Sequence, residues 1–212
     1  ALAAFFQGVI LGGLVHGVEV RDGQYAGGAF DWLTPFNLLC GVAVATGYAL
    51  LGATWLVMKT EGFVAARARR QAKLLLLFVL ACMAAVSLWT PLSSDRIAER
   101  WFSWPNILYL SPVPIVTAGV ALLVWRALEL GSEVTPFLGA IGLFLLGFLG
   151  LAISTFPYVI PPQLTIWQAS APPSTQAFML AGVAVLLPIV LGYMAFVYWI
   201  FRGKIRPGEG YH

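Results

Sequence analysis

Charge is the scarcest commodity in this 212-residue sequence. Only 10% of the residues are Asp, Glu, Lys or Arg, while 60% are hydrophobic and the mean hydropathy is +0.86; soluble domains carry about a quarter charged residues. A soluble globular fold is excluded, and the chain reads as an integral membrane protein. Cysteine is nearly absent too. Cys40 and Cys82 both lie inside apolar runs, so neither a secreted disulfide framework nor a CxxC metal or redox motif can be built. They read as buried free thiols acting as small hydrophobes. There is no Gly-rich phosphate loop, no HExxH and no GxSxG. The net charge of +3 is small and its cations sit at the edges of apolar runs, which leaves no basic groove for nucleic acid.

Titratable groups inside the apolar runs are missing as well. The nine acids, Glu19, Asp22, Asp31, Glu61, Asp95, Glu99, Glu129, Glu133 and Glu209, fall in connectors, at span ends or in the tail. Intramembrane carboxylates mark ion and proton paths, so their absence at mid-depth speaks against an ion-coupled transporter. Haem ligation needs His, Met, Cys or Tyr projecting into a pocket. Of the two histidines, His212 is terminal and His16 stands beside Glu19 at the end of the first apolar run. His16 reads as an interfacial residue bonded to Glu19 or water, and Met58, Met83, Met179 and Met194 as packing residues. No catalytic, cofactor-binding or metal-binding residue is assigned. The opening Ala1-Leu2-Ala3-Ala4 has no initiator Met and no basic flank, which predicts a piece of a longer protein.

Apolar runs are what the chain has in plenty. A span needs about twenty mostly apolar residues, and six stretches qualify: Ala1–Val18, Pro35–Met58, Leu74–Thr90, Ile107–Trp125, Pro136–Tyr158 and Gln176–Phe201. The expected fold is all-α, a polytopic transmembrane helix bundle. Between the second and third runs, Lys59–Lys73 holds five of the twelve cations. A short basic connector stays cytoplasmic, because Lys and Arg cross the bilayer at high cost and the inner leaflet is anionic. Fixing it inside puts nine cations inside (Lys59, Arg67, Arg69, Arg70, Lys73, Arg126, Arg202, Lys204, Arg206) and three outside (Arg21, Arg96, Arg100).

Other residue types agree with that alternation. Trp32, Trp89, Trp101, Trp104 and Trp167 lie at or beyond the outer span ends, and Trp55, Trp125 and Trp199 near the inner ends, the levels that indoles prefer. Thr34-Pro35 and Thr135-Pro136 each read as an N-cap followed by proline at the first helical position. Gly8/Gly12, Gly13/Gly17 and Gly41/Ala45/Ala49/Ala53 form four-residue stripes that suit close helix packing, within the chain or against a second subunit. Pro112, Pro114 and Pro188 are expected to bend or interrupt the fourth and sixth helices.

Two segments carry more than composition. The run Gly27-Gly28-Ala29-Phe30-Asp31-Trp32-Leu33-Thr34-Pro35-Phe36-Asn37, continuing through Gly47-Tyr48 and Trp55-Leu56 to Lys59-Thr60-Glu61-Gly62, resembles subunit II of the cytochrome bd-type quinol oxidases. So does Ser154-Thr155-Phe156-Pro157-Tyr158-Val159-Ile160-Pro161-Pro162, followed by Leu164-Thr165-Ile166-Trp167 and Ala171-Pro172-Pro173. The resemblance covers the whole chain as the C-terminal part of that subunit, the cyanide-insensitive branch included.

That resemblance implies a haem-free, multi-pass subunit in a bacterial inner membrane, C-terminus cytoplasmic, paired with a haem-bearing subunit I. The partner would carry haem b and haem d, or a b-type variant, oxidise quinol near the outer face and reduce O2 to water. A proton gradient then follows from where protons are taken and released. Membrane lipids, a structural quinone and a small accessory subunit fit the same picture. The family has two four-helix bundles and one extra helix, so the expected division is residues 1–58 as the second half of an incomplete bundle, 59–73 as a basic cytoplasmic connector, 74–201 as a complete four-helix bundle and 202–212 as a tail. Two departures matter. The family's opening helices, which include positions associated with proton entry, have no counterpart here, so no such residue is transferred. Leu14-Val15-His16-Gly17-Val18 has His where family members more usually show Gln. The competing readings are a multispan transporter or channel, suggested by the prolines, and a structural membrane scaffold.

Overall fold

The structure is a computed structural model that describes residues 1–18, 20–21 and 24–204. Glu19, Asp22, Arg206, Glu209 and His212 lie outside the described residues, and with Glu19 goes the expected bond from His16. Among the described residues the structure is predominantly helical, with two short β-pairs in the connectors.

Among the described residues, five helical segments are long and apolar enough to cross a membrane. They are α2 (Pro35–Lys59), α3 (Gly62–Ser93), the segment Asn106–Glu129 made of α5 (Asn106–Leu110) and α6 (Pro112–Glu129), α7 (Thr135–Thr155) and α9 (Pro173–Ile200). The first expected span differs. Helix α1 (Leu2–His16) has 15 residues and stops at Gly17, whose φ of 83° leaves the helical region.

The basic stretch is not a loop. Only Thr60 and Glu61 separate α2 from α3, and residues 62–73 form the first three turns of a 32-residue helix about 48 Å long at 1.5 Å per residue. Ala, Arg, Gln and Lys are strong helix formers, and the membrane segment from Leu74 onward propagates a helix that its basic end joins at no nucleation cost. Helix α3 therefore overreaches the roughly 30 Å hydrocarbon layer at its N-terminal end.

Connectors at the opposite end hold small elements. Val20–Arg21 (β1) pairs with Gln24–Tyr25 (β2), and Tyr158–Ile160 (β3) with Leu164–Thr165 (β4), both antiparallel. A short helix α4 (Asp95–Phe102) fills the link after α3, and α8 (Ile166–Ala169) opens with a capping box between Thr165 and Gln168.

Packing groups α2, α3, α6 and α7 around one core. Leu50 and Ala53 from α2, Ala72, Leu76 and Val79 from α3, Ala121, Val124 and Leu128 from α6, and Ala140 and Leu143 from α7 make a single buried cluster. The boundary expected after Met58 thus falls between two helices of the same core, and α9 contributes none of the buried residues. Helix α1 lies against α2 through the expected small residues. A Cβ at Gly8 would stand 2.4 Å from the Cys40 carbonyl oxygen, and one at Gly41 would meet the Phe5 ring at 2.7 Å. The rest of the α2 stripe divides, since Ala53 is in the core and Ala49 is exposed.

Several prolines act at helix ends and breaks. Pro91 and Pro188 instead lie inside α3 and α9, and the interruption expected at Pro188 does not occur, since α9 runs on through it. Thr34 caps α2, accepting from the Asn37 N–H at 3.1 Å with Pro35 at N1. At α7 the cap is Val134 instead; Thr135 is the first helical residue and its hydroxyl is taken by Ser132. Pro112 starts α6 after a break at Ser111, as expected. The missing Pro112 N–H would orphan the Leu108 carbonyl, and the Ser111 hydroxyl donates to it at 3.2 Å.

Candidate functional site

The bundle has two polar ends, and each is organised by cations bonded to helix carbonyls. A helix terminus leaves its last four C=O groups without intrahelical partners and carries partial negative charge, so a guanidinium from a neighbouring helix satisfies both.

At the basic end, α6 terminates in a left-handed Gly131 (φ 80°), with the Ser132 N–H returning to the Ala127 carbonyl at 2.9 Å. This is a Schellman closure, which favours glycine at that position. Two further oxygens are taken from α3: Arg69 donates to Leu128 O at 3.3 Å and to Gly131 O at 3.1 Å. Lys59 donates to the Phe201 carbonyl at 3.1 Å, and Lys204 bridges Glu133 and, at 3.8 Å, Glu61. Lys73 faces Glu129 at 4.0 Å. All three tryptophans at this end lie under a cation: Trp55 under Lys59, Trp125 under Lys73 and Trp199 under Arg202, at 5.2, 5.6 and 5.2 Å. Indole is the best ring for such contacts, so these residues fix one another at the headgroup level.

At the opposite end α4 lies across the C-terminus of α7. Ile97 is buried against Val15, Phe36 and Cys40, which places Arg96 and Arg100 beside the last turn of α7. Arg100 donates to Ile153 O at 3.1 Å and Arg96 to Ser154 O at 3.5 Å, while the Trp101 indole N–H donates to the Ser154 hydroxyl at 3.0 Å. Arg96 also covers the Tyr158 ring at 5.0 Å. Partial burial, and then the neighbouring Arg100 charge, lower the Arg96 pKa from its ordinary value, with Tyr158 opposing. A groove of about 540 Å³ beside α4 is lined by Arg96, Glu99, Arg100, Ser103, Asn106 and Tyr109 among others. Two of the three cations that charge counting placed outside therefore serve as helix caps.

The residues weighed as ligands are not assembled into one place. His16 is exposed and sits edge-to-face on Phe36 with ring centroids 4.7 Å apart. Met83 packs on the four-helix core, Met179 and Met194 are exposed on α9, and Cys40 and Cys82 are buried free thiols. Among the described residues no group of three or more His, Cys, Asp or Glu could hold a metal ion. One polar side chain escaped the sequence reading. Asn37 is buried at the α1–α2 contact, donates through Nδ2 to the Trp32 carbonyl at 3.1 Å, and leaves Oδ1 without a partner among the described residues, close to Gly12. Its position two residues after a Thr-Pro cap, facing a glycine stripe, was the available signal.

Comparison with known proteins gives this architecture its relatives. The family model for cytochrome bd terminal oxidase subunit II matches residues 1–201. The chain is 28% identical over 232 aligned residues to cytochrome bd-I ubiquinol oxidase subunit 2 of Escherichia coli strain K12, covering 93% of this chain and 61% of that protein. It is 26% identical over 234 residues to the probable cytochrome oxidase subunit 2 of Haemophilus influenzae, with the same coverage. The chain thus spans 61% of the length of these curated relatives. With residues 1–201 matched in sequence, and five long apolar helices in place, the chain belongs to the cytochrome bd terminal oxidase subunit II family.

Proposed function

We propose that this chain is part of the haem-free membrane subunit of a bd-type quinol:oxygen oxidoreductase. The match of residues 1–201 to the family carries the proposal. The subunit supports a haem-bearing subunit I that oxidises quinol, passes electrons through b-type haem to haem d or a b-type variant, and reduces O2 to water. This chain supplies no catalytic residue. His16, exposed and packed edge-to-face on Phe36 of α2, and the dispersed methionines support leaving the haems with the partner.

The membrane is the bacterial inner membrane, with the basic end and the C-terminus cytoplasmic. Lys59, Arg67, Arg69, Arg70, Lys73, Arg126, Arg202 and Lys204 on that side, against Arg21, Arg96 and Arg100 on the other, support this orientation. What the described residues contribute is a stiff frame. Helices α6 and α7 are tied to α3 at one end and to α4 at the other by guanidinium–carbonyl bonds. The exposed apolar flanks of the bundle leave room for subunit I, lipid, a structural quinone or a small accessory subunit.

Extraction of native membranes in mild detergent tests the reading. The chain is expected to co-purify with a larger subunit whose reduced-minus-oxidised spectrum contains b- and d-type bands, or b-type bands alone in the variant. Recovery of the intact protein in quantity without a haem-bearing partner would overturn it.

A further inference from the structure

The turn between α6 and α7 borders a groove of about 640 Å³ for which the oxidase reading has no use. Leu122 and Leu123 give it an apolar wall one turn toward the membrane, and Arg126, Leu130, Ser132 and Thr135 line it nearer the basic end. The leucines are 66%, 51% and 84% exposed, so nothing in the bundle covers that wall.

Arg126 is set apart from most cations around it. Lys73 has Glu129, Lys204 has Glu61 and Glu133, and Arg69 has two carbonyl oxygens. Arg126, which is exposed, makes no side-chain hydrogen bond, ion pair or ring contact with any described residue. Arg67 and Arg70 are likewise without such partners, but neither lines the groove. The nearby acids do not answer its charge, because Glu129 and Glu133 are engaged by Lys73 and Lys204. Beside it the Ser132 hydroxyl donates to Thr135 Oγ1 at 2.9 Å, and the Thr135 hydroxyl still has its own proton to give.

The groove therefore offers a guanidinium that no described residue answers and a hydroxyl donor at headgroup depth, one helical turn from the Leu122–Leu123 wall that points into the hydrocarbon. A guanidinium fork matches the paired oxygens of a phosphodiester. Its volume lies within the roughly 300–1,000 Å³ of small-molecule sites, enough for a headgroup and the first part of an acyl chain. A choline or ethanolamine headgroup brings the same phosphate with an ammonium that Arg126 repels. We propose that the α6–α7 groove is a binding site for a glycerophospholipid of net negative charge, with its phosphate on Arg126 and Thr135 and one acyl chain laid on Leu122 and Leu123. The inference rests on the membrane placement of the chain and not on the chemistry of its complex.

Native mass spectrometry of the delipidated protein, with whatever subunits it is extracted with, tests the site. Phosphatidylglycerol and phosphatidylcholine of matched acyl chains serve as probes. Wild type should bind phosphatidylglycerol about tenfold more tightly, the worth of one charge-assisted contact. Arg126→Gln should remove that preference, while Arg67→Gln, an exposed cation at the same end, should keep it. A preference that survives Arg126→Gln, or that Arg67→Gln abolishes equally, overturns the proposal. So does displacement of the lipid by inorganic phosphate, which would mark a small-anion site without an acyl component. If Arg126→Gln does not assemble, Thr135→Val carries the test: a preference reduced severalfold supports the site and an unchanged one overturns it.

Discussion

Arg69, in the third turn of α3, donates to the carbonyl oxygen of Gly131 at 3.1 Å, across the turn that ends α6. The same guanidinium reaches Leu128 O. A residue that charge counting uses only to mark the inner side is thus a cap for another helix, set 62 positions away in the chain. The opposite end repeats the device, with Arg96 and Arg100 on the terminal carbonyls of α7. Both ends of the α6–α7 hairpin are held by arginine to neighbouring helices.

Replacing Arg69 by Ala is expected to destabilise the purified protein more than replacing Arg67 by Ala. Hydrogen bonds to charged groups contribute about 1.5–3 kcal/mol, and Arg69 is only partly exposed whereas Arg67 is exposed and makes no side-chain hydrogen bond, ion pair or ring contact with a described residue. A thermal midpoint lowered by roughly 3–8 °C for Arg69→Ala, against little change for Arg67→Ala, is the expected pattern in detergent. Equal effects would mean that Arg69 acts only through its charge at the leaflet.

Gly17 should tolerate no side chain. Its φ of 83° disfavours L-residues, and a Cβ there would lie 1.9 Å from the Pro161 carbonyl oxygen of the β3–β4 connector. Gly8 is under similar constraint, its Cβ position 2.4 Å from Cys40 O, whereas nothing lies within 4 Å of Gly52. Gly17→Ala and Gly8→Ala are each expected to cost about 1–3 kcal/mol from strain and overpacking. Gly52→Ala should be neutral or slightly stabilising. The fraction of each variant surviving as monodisperse protein at rising temperature would rank them.

Part of this was legible in the sequence. Span positions follow from apolar runs alone, the Thr34 cap from its Thr-Pro pair, and the Gly8/Gly12 contact from four-residue spacing, because each of these signals is local. Other features are not local. Hydropathy places Arg69 outside the third span without revealing that the helix continues through it, since a basic sequence can be helical in water and still belong to a membrane helix. The make-up of the four-helix core is hidden for a related reason: nothing in the sequence of α2 states whether it packs with α1 or with α3, and it packs with both. The arginine caps are the least legible, as their carbonyl acceptors lie 53 to 62 positions away and any residue type supplies a carbonyl.

Helix α4 should loosen when the donors of Arg100 and Trp101 are removed. Arg100→Ala takes the 3.1 Å donor from Ile153 O, and adding Trp101→Phe takes the indole donor from Ser154. Ile97 remains as a buried anchor, so the helix is expected to open locally and not to unfold the bundle. Limited proteolysis between Ser94 and Asn106 should accelerate about tenfold or more in the double variant, with the thermal midpoint of the spans little changed. Protection equal to wild type would show that apolar contact alone seats α4.

Tyr25 gives the connector after α1 a dependence on alkaline pH. Its hydroxyl donates to the Gly28 carbonyl at 2.9 Å and to Asp31 Oδ2 at 3.1 Å, and the same carboxylate oxygen accepts from the Gly28 N–H at 2.7 Å. Partial shielding from water, then the bond to Asp31 and its negative charge, raise the Tyr25 pKa above 10.0. The proton is held more tightly in the folded turn than in the unfolded chain, so the turn's stabilisation is complete below pH 10 and is lost as pH rises through the raised value. Ultraviolet difference titration of wild type against Tyr25→Phe should isolate one phenol ionising later than a free tyrosine, and Asp31→Asn should shift that transition back toward pH 10. A Tyr25 that ionises at the free value in wild type would break the link between this phenol and Asp31.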